Sequence, residues 1–232
     1  MKTIAAALLF FTAMTTQAKP VAIVIHAGAG RIDRDSFTPE HERLYHATLE
    51  QSLRAGHAIL KGGGSALDAV EAATVIMEDA PVFNAGKGAV FTAEGKNELD
   101  ASIMDGRALQ AGAVGGVTTV KNPIRAARAV MEKSPHVLFT NRGAEKFAAD
   151  NGLEMVDPKY FFTERRWKQI QTWLKQQEAK AKPRAAAEPD RHADYFSTVG
   201  CVALDAKGNI AASPSTAAVT ATAVTTTTNG AA

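Results

Sequence analysis

The sequence predicts a mixed α+β domain on three observations. Capped amphipathic stretches fill the first third, short apolar runs between glycine-rich turns fill the middle, and a strand-turn-strand pattern comes near the end. The chain has 232 residues, 46% hydrophobic and 22% charged, which suits one domain with a sizeable core.

The elements follow in order. Val21 to His26 is a continuous apolar run that ends in Ala27-Gly28-Ala29-Gly30, the pattern of a buried strand leaving through a glycine turn. Thr38 is placed to cap a helix with Pro39 at its first position, and Gly62-Gly63-Gly64 stops that helix after Lys61. Ser65 to Asp68 has the form of a capping box, and the helix it opens carries Leu67, Val70, Thr74 and Met77 at helical spacing up to Pro81. Ala89 to Thr92, Leu99 to Met104 and Val114 to Val120 read as short strands. Helices are predicted from Asn122-Pro123 to about Lys133, over Arg142 to Asp150, and over 164–182. The stretch from about 178 to 197 reads as a flexible connector. Thr198 to Leu204, the turn Asp205 to Asn209 and a return strand from Ile210 form a hairpin. Residues 213–232 are almost all Ala, Thr, Val, Ser and Pro, a low-complexity tail with little capacity for core.

At the N-terminus, Lys2, the apolar run Ile4 to Met14 and the small residues Thr16-Gln17-Ala18 form the pattern of a signal peptide over 1–18. Cleavage near Ala18 would leave a periplasmic or secreted protein, and the apolar run is too short to span a bilayer. The single cysteine, Cys201, excludes an intrachain disulfide and a cysteine-based zinc site. A net charge of +2 without a dense basic stripe argues against nucleic acid as partner. The glycines after the first strand do not have dinucleotide-binding spacing. His41 and His46 are five apart, so a helix separates them by about 140° and they cannot share one metal from one face. Neither a GxSxG elbow nor a phosphate loop is present.

Three segments need an explanation. The loop around Asn84 is either an ordinary turn or a tight loop whose carbonyls wrap a small cation and whose Asn84 faces a site. Asp100 and Asp105 read most simply as a charged turn. Thr198 is either a threonine chosen for strand propensity or a nucleophile freed at a new N-terminus, where its own amine, with a pKa near ~8, would act as base.

Seven ordered blocks settle the last choice by resemblance: VAIVIHAGAG, SALDAVEAA, PVFNAGKGAVFT, ELDASIMDG, GAVGGV, NPIRAARAVMEKSPHV and TVGCVALDAKGNIAA. Together they resemble the isoaspartyl peptidase/plant-type L-asparaginase family over about residues 20 to 212. The resemblance implies an αββα sandwich of the N-terminal-nucleophile type, made as a precursor that cuts itself between Ser197 and Thr198. Residues 19–197 then correspond to the α-subunit, and 198–232 to the start of the β-subunit. It implies a dimer of αβ units that hydrolyses L-asparagine and β-aspartyl dipeptides, with no organic cofactor, no nucleic acid and no membrane involved. Thr198 would be the nucleophile, Thr216 its hydrogen-bonding support, and Asn84 the asparagine that faces it. Backbone carbonyls of Met77, Glu78, Ala80, Phe83, Ala85 and Lys87 would hold a structural sodium ion.

The sequence also departs from the family pattern. Ser197 stands where glycine normally precedes the nucleophile, and Ala217-Ala218 replace the two glycines after Thr216. The family's arginine and aspartate clamp, and its T-G oxyanion block, have no counterpart in 219–232. This predicts a chain cut short in its catalytic half, with little or no asparaginase activity. The alternatives are glycosylasparaginase, which shares fold and nucleophile, and a non-catalytic remnant.

Overall fold

The computed structural model describes residues 19–28, 38–181 and 198–217. The expected signal peptide, Ser197 and most of the expected linker lie outside the described residues. A six-stranded sheet in the order β1-β5-β6-β2-β3-β4 organises the rest. Its strands are β1 (Ala22–His26), β2 (Leu99–Asp105), β3 (Gln110–Val117), β4 (Leu138–Thr140), β5 (Val199–Leu204) and β6 (Ile210–Ala217). Only the β3–β4 pair is parallel. The chain is therefore α+β, as the sequence predicts.

The helices are α1 (Pro39–Lys61), α2 (Ala66–Glu78), α3 (Pro123–Lys133), α4 (Asn141–Asp150) and α5 (Glu164–Ala181). The starts of α1 and α2 are where the caps place them. Thr38 accepts a hydrogen bond from the His41 amide at 3.1 Å, and Ser65 both accepts from the Asp68 amide and donates to its carboxylate. On α1 the buried stripe is Thr48, Ser52, Gly56 and Leu60, mostly small residues. That lets α1 lie close on α2: the Ser52 hydroxyl donates to the Ala73 carbonyl at 2.8 Å. A side chain at Gly56 would run into Ile23 and the Ala69 backbone. Arg128 ties α3 to α2 by meeting Asp68 and Glu71, and also pairs with Glu132.

The hairpin of β5 and β6 slots between β1 and β2, so the last described residues of the chain lie mid-sheet. Odd-numbered residues of both strands, among them Val199, Cys201, Ser213 and Ser215, are buried towards α2 and α3. Even-numbered residues project from the opposite face. On that face Val24 is 66% exposed, Val202 49%, Met104 42% and Ile210 54%, so none of the described residues forms a layer over them. The described residues thus form one α layer and one β layer of the expected sandwich.

Several local readings need correction. Ala89 to Thr92 is not a strand: a short 3-10 turn at Gly86–Gly88 leads into an irregular segment whose carbonyls bond the Asn97 side chain. The third strand starts earlier than Val114, at Gln110, and ends at Val117, while β4 went unread because only three residues pair. β6 continues to Ala217, into the tract read as a low-complexity tail with little capacity for core. Its small residues are what close packing under α2 requires: Ser213 shares a 2.8 Å hydrogen bond with Thr74, and Ser215 donates to Glu78 at 2.7 Å. Helix α5 likewise runs through Ala181, past the expected start of the linker. Among the described residues, no helix is long and apolar enough to cross a membrane.

Candidate active site

Thr198 immediately precedes β5. Because Val199 pairs with Ser215, the register sets Thr198 across from Thr216, both on the open face of the sheet. The Thr198 hydroxyl donates to the Thr216 hydroxyl at 3.1 Å. Thr216 directs its own proton to the Ala217 carbonyl at 3.3 Å, leaving a lone pair for Thr198. The contact fixes the Thr198 rotamer where the chain enters the sheet. Thr216→Val keeps the shape but removes this partner. We expect it to lower any Thr198-dependent rate by about 10–100-fold with little change in Tm, since the pair is half-exposed.

Asn84 is fully buried. Its Oδ1 accepts from the Val90 amide at 2.9 Å, and its Nδ2 has no hydrogen-bond partner among the described residues. The structure brings it near the threonines indirectly. Its neighbours Phe83 and Ala85 cluster with Met77 and with Val199, the residue after Thr198. An unpartnered buried donor costs about 1–3 kcal/mol, the kind of strain kept where a ligand or water completes the site.

The loop expected to hold sodium is built by two glycines. Gly86 has φ +49°, and a Cβ there would strike the Glu78 carbonyl; a Cβ at Gly88 would strike the Phe83 carbonyl. Two of the six expected donors are thus drawn against the turn where only a bare Cα fits. The Met77 and Ala85 carbonyls each also accept a turn hydrogen bond, from Ala80 and Gly88. Backbone carbonyls are neutral oxygen donors, and donors of that type fit a hard monovalent cation.

Sequence reasoning named Glu78 only for its carbonyl and missed its side chain. The carboxyl is fully buried, accepting from the Ile124 amide at 3.0 Å at the start of α3 and from the Ser215 hydroxyl at 2.7 Å. Burial pushes its pKa up to about 8, against the pull of those two hydrogen bonds. Glu78 thereby links α2, α3 and the strand position beside Thr216. The available signal was an acid in the last turn of α2, directly after the apolar run Val75-Ile76-Met77. Glu78→Ala strands two buried donors and should cost roughly 2–4 kcal/mol by chemical denaturation, whereas Glu78→Gln, which keeps an acceptor oxygen, should cost much less.

The sequence profile of a family described as asparaginase matches residues 18–224. The chain belongs to the asparaginase family. The match runs past β6, so the tract after 212 retains family character that its composition hides. An Escherichia coli isoaspartyl peptidase is 44% identical over 198 residues, covering 85% of this chain and 61% of that protein. A human isoaspartyl peptidase/L-asparaginase is 42% identical over 200 residues, 86% of this chain and 61% of its own. A Dictyostelium discoideum relative is 50% identical over 152 residues, 66% of this chain and 44% of its own. The chain spans less than two thirds of the length of these curated relatives.

Proposed function

We propose that this asparaginase-family chain carries the nucleophile of a threonine amidohydrolase acting on β-aspartyl amide bonds, namely the side-chain amide of L-asparagine and the isopeptide bond of β-aspartyl dipeptides. The observation that carries the reading is the Thr198–Thr216 hydroxyl pair at 3.1 Å where the chain enters β5. The names borne by the E. coli and human relatives support the substrate class.

Two steps follow from the chemistry of threonine. In the precursor, Thr198 Oγ1 attacks the Ser197 carbonyl carbon. The C–N bond breaks as the nitrogen takes a proton, and water hydrolyses the resulting ester, leaving a Ser197 carboxylate and a Thr198 amine. In turnover, that amine takes the proton of Thr198 Oγ1 as the oxygen attacks the substrate's side-chain carbonyl. It then passes the proton to the departing ammonia or amino acid, and water cleaves the β-aspartyl ester. An α-amine titrates near ~8, so it is a competent base at neutral pH, whereas a peptide nitrogen is not. The reaction draws on no organic cofactor. Thr216 positions the nucleophile, and Asn84 supplies an amide donor near it.

The same reading includes a sodium ion held by the carbonyls of Met77, Glu78, Ala80, Phe83, Ala85 and Lys87, assembly as a dimer of αβ units, and export directed by residues 1–18. Replacing sodium by lithium at constant ionic strength should lower Tm by a few degrees, roughly the linkage expected of a weakly held ion. For the function, the decisive experiment is single-turnover trapping with L-asparagine. A β-aspartyl adduct should form on the fragment that begins with Thr198, slowly, in keeping with the weak steady-state turnover that the sequence predicts. Cleaved chain that takes no adduct, or takes it on another residue, would contradict the reading.

A further inference from the structure

Arg128, a half-buried guanidinium, meets three carboxylates. Arg165 and Arg166 at the start of α5 do not follow that pattern. Arg166 is only 7% exposed, yet among the described residues no carboxylate lies within ion-pair distance of either arginine. Arg166 gives its Nε to the Gly88 carbonyl at 2.8 Å and Nη1 to Gln169 at 3.0 Å. Arg165 reaches the Pro81 and Val82 carbonyls with Nη2, both at 3.4 Å. Neutral oxygens satisfy hydrogen bonds without cancelling charge, so among the described residues two cations consecutive in sequence remain uncompensated at the base of the 81–88 loop.

The electrostatics agree. Burial, and then Arg165, bring the Arg166 guanidinium down to about 9. His41, in the first turn of α1, is lowered by burial and then by both arginines, which places a third basic group within reach of their field. Placing like charges together at partial burial is unfavourable unless an anion joins them. Arg165 remains open to solvent, so the pair is reachable from outside.

We propose that Arg165 and Arg166 form an oxyanion-binding site on the outer side of the loop that carries Asn84, taking one phosphate or carboxylate group between them. Guanidinium forks match such groups in geometry and charge. Because both arginines also hold loop carbonyls from Pro81 to Gly88, a bound anion stiffens the segment that carries Asn84.

The test is thermal melting of the full chain in sodium phosphate against sodium chloride at equal ionic strength, with sodium succinate as the carboxylate arm. Phosphate stabilises many proteins by exclusion, so the difference between the unmodified chain and Arg165→Gln is the readout. At millimolar phosphate the unmodified chain should gain roughly 5 °C over chloride. Arg165→Gln and Arg166→Gln should each weaken the apparent phosphate affinity at least about tenfold. Arg165 is exposed, so its substitution leaves the fold intact even if Arg166→Gln does not fold. A response to succinate alone assigns the site to carboxylates. Equal melting in all three salts, or an Arg165→Gln chain that responds like the unmodified one, overturns the proposal.

Discussion

Thr198→Ala is expected to remain a single polypeptide indefinitely, while the unmodified chain separates into a larger and a smaller fragment. The reason is chemical, because only an oxygen nucleophile at this position can turn the preceding amide into an ester. The loss should be on the order of 10³-fold or more, which a gel time course reads as no cleavage. Thr198→Ser keeps the oxygen but loses the methyl group that restricts the rotamer, so it should cleave, and more slowly. The preceding residue sets the rate. Glycine tolerates backbone conformations that serine resists, and Ser197→Gly should speed cleavage by about tenfold if scission passes through a strained peptide. A Thr198→Ala chain that still splits at this bond would remove Thr198 from the chemistry.

Gly88→Ala is expected to be the most destabilising small substitution near the site. The added methyl meets the Phe83 carbonyl backbone, which cannot rotate away as a side-chain tip could. The 81–88 loop must then open, moving Asn84 and releasing the Arg166 bond to the Gly88 carbonyl. A cost above about 3 kcal/mol follows, equivalent to a Tm drop of roughly 6–12 °C for a chain of this size. Gly152→Ala is a useful contrast: Gly152 has φ +75°, but an added Cβ there would meet nothing within 4 Å. Its penalty should be only about 1 kcal/mol, from backbone conformation alone. Differential scanning calorimetry of both variants checks the pair. Equal losses would mean that close packing at Gly88 is not what shapes the loop.

Much of the α layer was legible because its signals are local. Thr38 and Ser65 mark starts that depend on one side chain and one backbone amide, Asn122-Pro123 marks one through the proline at the first helical position, and the structure begins its helices there. The sheet was less legible because pairing is non-local. Nothing near Ile210 announces that its strand lies between two others and must pack small residues under α2. Read alone, Ser213 to Ala217 looks like filler; with Thr74 and Glu78 beneath, its hydroxyls are structural. Ala89 to Thr92 failed for the opposite reason. Its residues favour strands, but Asn84 and Asn97 take the hydrogen-bonding groups a neighbouring strand would use. At the site, the resemblance singles out Thr198 and Thr216, and the register explains why these two residues, 18 apart in sequence, meet. Glu78 escaped because its importance lies in partners on α3 and β6, which no spacing along the chain reveals.

The central claim is that Thr198 is freed to become an N-terminal nucleophile. Mass determination and N-terminal sequencing of the purified chain after prolonged incubation test it most directly. The prediction is a smaller fragment that begins Thr198-Val199-Gly200, with a larger fragment ending at Ser197. A chain that stays whole under conditions where its fold is retained, or a cut at any other bond, would contradict it.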